Sequence, residues 1–395
     1  MSTGAGLRAW LEIMRISNLP TVLSNAIAGA TIGACALAIE RAPTDGLAVW
    51  FGGFLIPVGP DGPELAWLSA SGTALFLAPF AIPLLAYLGG MVLNDAFDAE
   101  IDARERPARP IPSGRIARGS AFAAGFALLG AALALAALRG PASVVAATAV
   151  LVLAIVVYDR FHAKTVASTL LLALCRALAA LVPMLAFADG DFELLVRRGA
   201  IALPIALAAW TLGLSLLARN EIALRDAEAS RADATAQPCP KCGHLMVEKG
   251  HESCPECGER STDIVRRSLA RTRADLRAGY RNIVPIAAAV VLLAAFFTTH
   301  VALLHRGRAP GSTLAAGNPG AAIIVAILLA LAAVRAAQIL RREPARTPDA
   351  IGMLIACLAL VDAMALATGG HWLAALACTT LFLATRLLQR RIAGS

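Results

Sequence analysis

Four side chains that can offer oxygen to a cation, Asn94, Asp95, Asp98 and Asp102, stand in the run Asn94-Asp95-Ala96-Phe97-Asp98-Ala99-Glu100-Ile101-Asp102. Asn94, Asp98 and Asp102 recur every fourth residue, and Asp95 lies three before Asp98, so a helix carries all four on one stripe. Like charges at that spacing repel, and acids at the C-terminal end of a helix meet the wrong pole of its dipole. A hard divalent cation removes the conflict, because magnesium takes oxygens from a few carboxylates together with a substrate phosphate. Directly after the acids come Arg104, Arg106 and Arg109, on a loop held non-helical by Pro107, Pro110 and Pro112. Acids for a metal followed by guanidiniums on a stiff loop are the donors a diphosphate needs, the metal bridging its oxygens and the arginines clamping them. The plainer readings are a solvated helix end for the acids and the cytoplasmic flank of a membrane span for the arginines.

The elements that must position these groups are read from hydropathy. Of 395 residues, 58% are hydrophobic and only 16% charged, against about 45–50% and about 25% in ordinary soluble domains. That excludes a disordered chain, a collagen-like chain and a disulfide-stapled secreted module. It predicts an all-α fold, a polytopic transmembrane helical bundle of nine or ten spans with a small polar insertion. A bilayer core about 30 Å thick takes roughly 20 apolar residues per helix. Ten stretches meet or nearly meet that length: about 19–39, 73–93, 120–138, 142–158, 168–187, 199–218, 283–304, 319–340, 350–368 and 371–385. Each must be helical, since a backbone crossing lipid satisfies its own hydrogen bonds. Residues 47–58 are apolar but short and ended by Pro57 and Pro60, which reads as an interfacial or re-entrant piece of a long exterior loop. The first run follows Arg8 and Arg15 and lacks a cleavage site, so it reads as a retained span. The last apolar region is split by Gly369-Gly370-His371, giving either two spans or one broken helix.

With the N-terminus in the cytoplasm and ten alternating spans, 27 of the 35 Lys and Arg fall in cytoplasmic segments and six in exterior ones. The imbalance predicts a multi-pass protein of the cytoplasmic membrane with both termini inside. It also explains the net charge of +8 without nucleic acid. Residues 1–218 would form the first part of the bundle, 219–281 a cytoplasmic loop, and 282–395 the remaining spans.

NDxxDxxxD followed by RPxRPIPSGRI resembles the first signature of the UbiA-type intramembrane prenyltransferase superfamily. Arg15, Leu19-Pro20-Thr21, Asn25 and Ala28-Gly29 are similar to the family's N-terminal pattern. Tyr158-Asp159 with Lys164 falls where the family places a diphosphate-contacting Tyr and Lys. Cys175-Arg176 is similar to the EboC-like branch, whose members are linked to export or assembly of secondary metabolites. The resemblance implies a central cavity open to lipid, in which a polyprenyl diphosphate binds through magnesium held by Asn94, Asp95, Asp98 and Asp102. Arg104, Arg106, Arg109, Tyr158 and Lys164 would hold the diphosphate, with Arg15 and Asn25 lining the cavity. The implied reaction is ionisation of the carbon–oxygen bond and attack of the allylic cation by an electron-rich small-molecule acceptor.

The family's second acidic run, usually DxxxD, follows the sixth span, and here the sequence departs from it. Asn220-Glu221 is followed at the fourth position by Arg225, with Asp226 beyond. Five residues rotate Asp226 about 140° from Glu221 on an ideal helix. Either Asn220 and Glu221 serve a second magnesium, with Asp226 reached only through a break in the helix, or Glu221 and Arg225 form an i,i+4 ion pair. Arg176, mid-span and costly in lipid, is expected to face the cavity or a partner, with Asp362 the opposite charge, and is a further candidate for binding substrate. Arg335 and His371 lie near span ends and are expected to snorkel to the interface.

Cys35, Cys175, Cys357 and Cys378 lie singly in spans and read as packing residues. Cys239, Cys242, Cys254 and Cys257 form two CPxCG knuckles eleven residues apart, the spacing of a four-cysteine structural zinc ribbon at 237–260. A segment so small relies on the metal for its folding energy. Five acids among 241–263 argue against nucleic acid there and leave a protein partner or a cap on the site. The expected function is a magnesium-dependent membrane prenyltransferase. The alternatives are a carrier or assembly factor for isoprenoid-type metabolites and a zinc-ribbon docking scaffold.

Overall fold

The computed structural model describes residues 3–41, 48–51, 54–59, 62–63, 70–161, 166–233, 237–238, 245–246, 257–258, 319–342 and 347–391. The helices in chain order are α1 (Thr3–Ile13), α2 (Leu19–Arg41), α3 (Ala70–Phe97), α4 (Ala99–Glu105), α5 (Arg118–Arg139) and α6 (Ala142–Phe161). They continue with α7 (Val166–Phe187), α8 (Phe192–Arg197), α9 (Ala202–Asp233), α10 (Pro319–Arg342), α11 (Thr347–Thr368) and α12 (Trp372–Arg391). Among the described residues, eight helices are long and apolar enough to cross a bilayer, and Ala202–Leu216 of α9 adds a shorter apolar segment. These nine coincide with nine of the ten expected stretches; the other, 283–304, lies outside the described residues. Pro79 and Pro83 inside α3 and Pro183 inside α7 are accommodated without ending either helix, as neighbouring helices allow in membrane bundles.

The expected all-α bundle is observed, and the short apolar stretch after α2 adds a few paired strands to it. There β1 (Ala48–Phe51), β2 (Phe54–Gly59) and β3 (Gly62–Pro63) pair antiparallel, with Ala48 opposite Pro57 and Phe51 opposite Phe54. The run is too short to span, and Val49, Trp50, Phe51, Phe54 and Ile56 are residues that favour a pleated pair.

The bundle is held by close backbone approaches at glycine. Gly29 and Gly33 lie one turn apart on α2, and a Cβ on either would collide with the carbonyl oxygens of Ala180 and Met184 on α7. Small residues at that spacing let membrane helices meet at their backbones. Gly89 of α3 meets Gly125 and Leu129 of α5 in the same way. The most enclosed helix is α11, packed against α2, α9, α10 and α12. By contrast α10 turns Ile323, Ile324, Ile327, Leu331 and Val334 outward, an exposed apolar surface fit for lipid.

One end of the bundle gathers the Ile16–Asn18 3₁₀ turn, the start of α11 and the end of α12. There Gln389 Nε2 donates to Asn18 Oδ1 and to the Gly352 carbonyl, both at 2.9 Å. At the other end Arg198 pairs with Glu40, and Ser143 Oγ donates to the Gly190 carbonyl. The Gly369-Gly370 turn separates α11 and α12 into two helices that pack on each other, Gly370 having φ +84°. His371 is therefore covered by the hairpin and buried, contrary to the expectation that it snorkels; Arg335 is exposed.

Candidate active site

The acidic stripe survives the break between α3 and α4. Asp98 sits at the junction with near-helical dihedrals, and its amide donates to the Asn94 carbonyl at 3.0 Å. The Asp102 amide donates to the Asp98 carbonyl at 2.8 Å. Helical register thus runs through Asn94, Asp98 and Asp102, as the four-residue spacing predicts. Asn94, Asp95 and Asp102 are buried, and Asp98 is half-buried.

Two arginines reach these acids. Arg15 stands between α1 and the 3₁₀ turn in the left-handed region, φ 45°, a conformation uncommon outside glycine that surrounding contacts must hold. Its carbonyl accepts from Tyr87 Oη at 3.0 Å, while its Nη2 donates to Asp95 Oδ1 at 3.1 Å and Asn94 Oδ1 at 3.3 Å. Arg109 is buried and its Nη1 lies 2.6 Å from Asp102 Oδ2 and 3.7 Å from Asp95 Oδ1. The proline-rich loop folds back to bring it there: the Arg109 carbonyl accepts the Ser113 amide at 3.0 Å and Ser113 Oγ at 2.7 Å. Arg115 ties this loop to α1 through Glu12 at 2.9 Å. Arg104 and Arg106, expected to share the clamp, are exposed on and after α4. Tyr158 of α6 is half-buried beside Arg15 and Asp98. Lys164 lies outside the described residues.

Spacing in the sequence did not single out Asp159. It is 2% exposed, accepts a hydrogen bond from the Asn94 side chain, and lies within electrostatic reach of Asp95, Asp98 and Arg15. Its signal was faint: one acid at the C-terminal end of an apolar run.

Further into the bundle, Tyr87, Cys175 and Arg176 are half-buried. Arg176 Nη1 donates to Asn25 Oδ1 at 2.9 Å, and Asn25 Nδ2 donates to Asp362 Oδ2 at 2.7 Å. Ser24 Oγ adds a 2.6 Å bond to the same carboxylate oxygen. Arg176 and Asp362 are thus joined through an amide rather than by direct contact, which spreads charge through hydrogen bonds where water is absent. Asn25 is engaged in this deeper network rather than with the acidic stripe.

The second acidic stretch lies on α9, which runs unbroken from Ala202 to Asp233, so no break in the helix brings Asp226 round towards Glu221. The side chains of Glu221 and Asp226 lie outside the described residues. Cys239, Cys242 and Cys254 also lie outside them, and Cys257 is half-buried. The strands β4 (Gln237–Pro238) and β5 (Leu245–Met246) pair across the first knuckle, and Gly258 after Cys257 has φ +71°.

Among the described residues no three His, Cys, Asp or Glu side chains converge as a ready-made metal cage. The donor set nonetheless suits magnesium, which keeps several waters and binds through one or two carboxylates together with substrate phosphates.

Residues 47–234 match the profile of the UbiA prenyltransferase family. The chain is 33% identical over 121 residues to the digeranylgeranylglyceryl phosphate synthase of Metallosphaera sedula, covering 30% of this chain and 42% of that protein. It is 47% identical over 66 residues to the synthase of the same name from Methanoregula boonei, covering 16% of this chain and 24% of that one. The chain thus spans less than half the length of these relatives. A solved structure of a UbiA homologue from Archaeoglobus fulgidus, bound to GPP and Mg2+, superposes with TM-score 0.46 at 13% identity, covering 91% of this chain and 98% of that one. Another, from work on digeranylgeranylglyceryl phosphate synthase in membranes, gives 0.48 at 16% identity over 93% and 99%.

Proposed function

We propose, from the premise that residues 47–234 are a UbiA prenyltransferase family domain, that the chain is an integral membrane prenyltransferase. It would move a prenyl group from a polyprenyl diphosphate to an aromatic or lipid-like acceptor at a magnesium–diphosphate site. The observation that carries this reading is the Asn94–Asp98–Asp102 stripe held against Arg15 and Arg109 at one end of an apolar bundle. The names of the relatives favour a lipid-like glycerol phosphate among the acceptors. Both termini and the acidic end would face the cytoplasm, following the distribution of basic residues.

When bound, magnesium neutralises charge on the diphosphate and makes it a better leaving group. Asn94 and Asp98 would supply oxygens to it beside Asp95 and Asp102, with Glu221 as a secondary metal group. Arg15 and Arg109, fixed by Asp95 and Asp102, offer donors where negative charge grows as the carbon–oxygen bond breaks. Tyr158 and Lys164 extend that cradle, and the exposed Arg104 and Arg106 draw the anion in from solvent. The apolar walls hold the isoprenoid and keep water from the cation until the acceptor attacks. The products are the prenylated acceptor, pyrophosphate and the acceptor's proton. Cys239, Cys242, Cys254 and Cys257 would hold a structural zinc.

Asp98→Ala tests the assignment. Lipids extracted from cells carrying the wild-type chain should contain a prenylated product that mass spectrometry finds reduced at least about 100-fold with the variant, the range for losing electrostatic stabilisation of a leaving group. An unchanged product with a folded variant would reject the enzyme reading. Arg225, standing where the family's second run places an acid, favours a second reading: a carrier that binds the lipid diphosphate without transferring it. Diphosphate binding without any product would select it.

A further inference from the structure

Gly90 of α3 and Ile155 of α6 are in tight contact: a Cβ on Gly90 would lie 2.9 Å from Ile155 Cγ2. Under the alternating topology both helices run towards the cytoplasmic end, so one turn beyond this contact comes Asn94 on α3 and Asp159 on α6. The Asn94 side chain donates a hydrogen bond to the Asp159 carboxyl, with Asp98 and Asp95 close by. Helix register therefore delivers a buried carboxylate from a second helix to the acidic stripe, although no acidic motif surrounds it in sequence.

We propose that Asp159, together with Asp98, supplies the carboxylates that take the divalent cation, filling the part that the family's second acidic run plays elsewhere. The inference rests on the magnesium–diphosphate reading of this site. Asp95 and Asp102 are engaged by Arg15 and Arg109, and Arg225 occupies the position where a second acid is expected on α9. Two carboxylates on neighbouring helices are what magnesium requires when phosphate and water complete its shell. Burying Asp159 as a charged carboxylate beside other acids costs free energy, which a bound cation would offset.

Binding of Mn2+ by the full-length protein in detergent, followed by electron paramagnetic resonance with and without inorganic pyrophosphate, tests this directly. Wild type, Asp159→Asn, Asp159→Glu, Asp98→Asn and the distant control Glu193→Gln are compared, with melting in EDTA recorded for each. Asp159→Asn should weaken Mn2+ binding at least about tenfold with melting in EDTA at or above the wild-type temperature. Asp159→Glu should recover part of the affinity, and Glu193→Gln should match wild type. Wild-type Mn2+ affinity in Asp159→Asn, with affinity lost in Asp98→Asn, overturns the role of Asp159 and leaves the site standing. Wild-type affinity in both variants overturns the magnesium site itself. If Asp159→Asn melts early in EDTA, Asp159→Glu decides: a variant that melts as wild type in EDTA yet recovers none of the lost affinity overturns the proposal.

Discussion

Arg109 and its neighbours Arg104 and Arg106 share a residue type and a short stretch of chain, yet only Arg109 is enclosed, 2.6 Å from Asp102. Removing one member of a buried ion pair strands the other's charge, at a cost of about 3–5 kcal/mol. Arg109→Ala is therefore expected to destabilise the bundle by that order in unfolding titrations. Arg104→Ala and Arg106→Ala, at exposed positions, should stay within about 0.5 kcal/mol. A different balance holds at the opposite end, where the hydrogen bond from Arg198 holds the Glu40 carboxyl below the usual carboxylate range. A depressed acid contributes stability that is complete above its unfolded value and lost as pH falls through the folded one. Arg198→Ala should raise the Glu40 titration, visible by NMR of 13C-labelled glutamate, and reduce that acid-range dependence, while Arg197, 3.6 Å from Glu40, continues to lower it.

Helices α2 and α7 meet where Gly29 and Gly33 face backbone carbonyls, so neither position has room for a methyl group. Gly29→Ala and Gly33→Ala should each cost about 1–3 kcal/mol as the helices are pushed apart. At Gly130 of α5 a Cβ would meet nothing within 4 Å, so Gly130→Ala should be neutral or stabilising by about 0.5–1 kcal/mol through helix propensity. Thermal melts of the three variants in one detergent compare these directly. The contrast matters for function because α2 carries Ser24 and Asn25, which hold Asp362 of α11 and, through Asn25, Arg176 of α7. A shift of α2 would disturb that polar network as well as the packing.

At the scale of the whole molecule, the proposed zinc ribbon and the helical bundle would be two units of different physics in one chain. The bundle derives its stability from close packing and internal hydrogen bonds, whereas the segment around 237–258 is too small to build a core. Metal analysis of the purified protein is expected to find one zinc per chain, lost in the Cys239→Ser/Cys254→Ser double variant. Melting of the bundle should be unaffected by that loss; a collapse of the bundle on zinc removal would show that the two units are interdependent. The contact of Gln389 with Asn18 puts the N-terminal turn and the end of α12 at the same end. Reporter fusions at both termini are accordingly expected on the same side of the membrane, the cytoplasmic one.

The amino-acid sequence alone determined the helices and the acidic stripe, because both are local. Lipid forces apolar runs of sufficient length to be helical, and a four-residue spacing keeps Asn94, Asp98 and Asp102 together wherever that helix goes. The strands at 48–51, 54–59 and 62–63 were not legible in this way, because aromatic and β-branched residues favour a sheet only once the strands find one another. Which arginine reaches the acids depended on how the proline loop folds back, and that Asp362 meets Arg176 only through Asn25 depended on where three separate helices cross. Asp159 belongs to the same class: its position beside Asn94 follows from the contact of Gly90 with Ile155, a fact of tertiary packing. Long-range neighbours are set by which helix faces meet, and spacing along one chain segment carries no record of that.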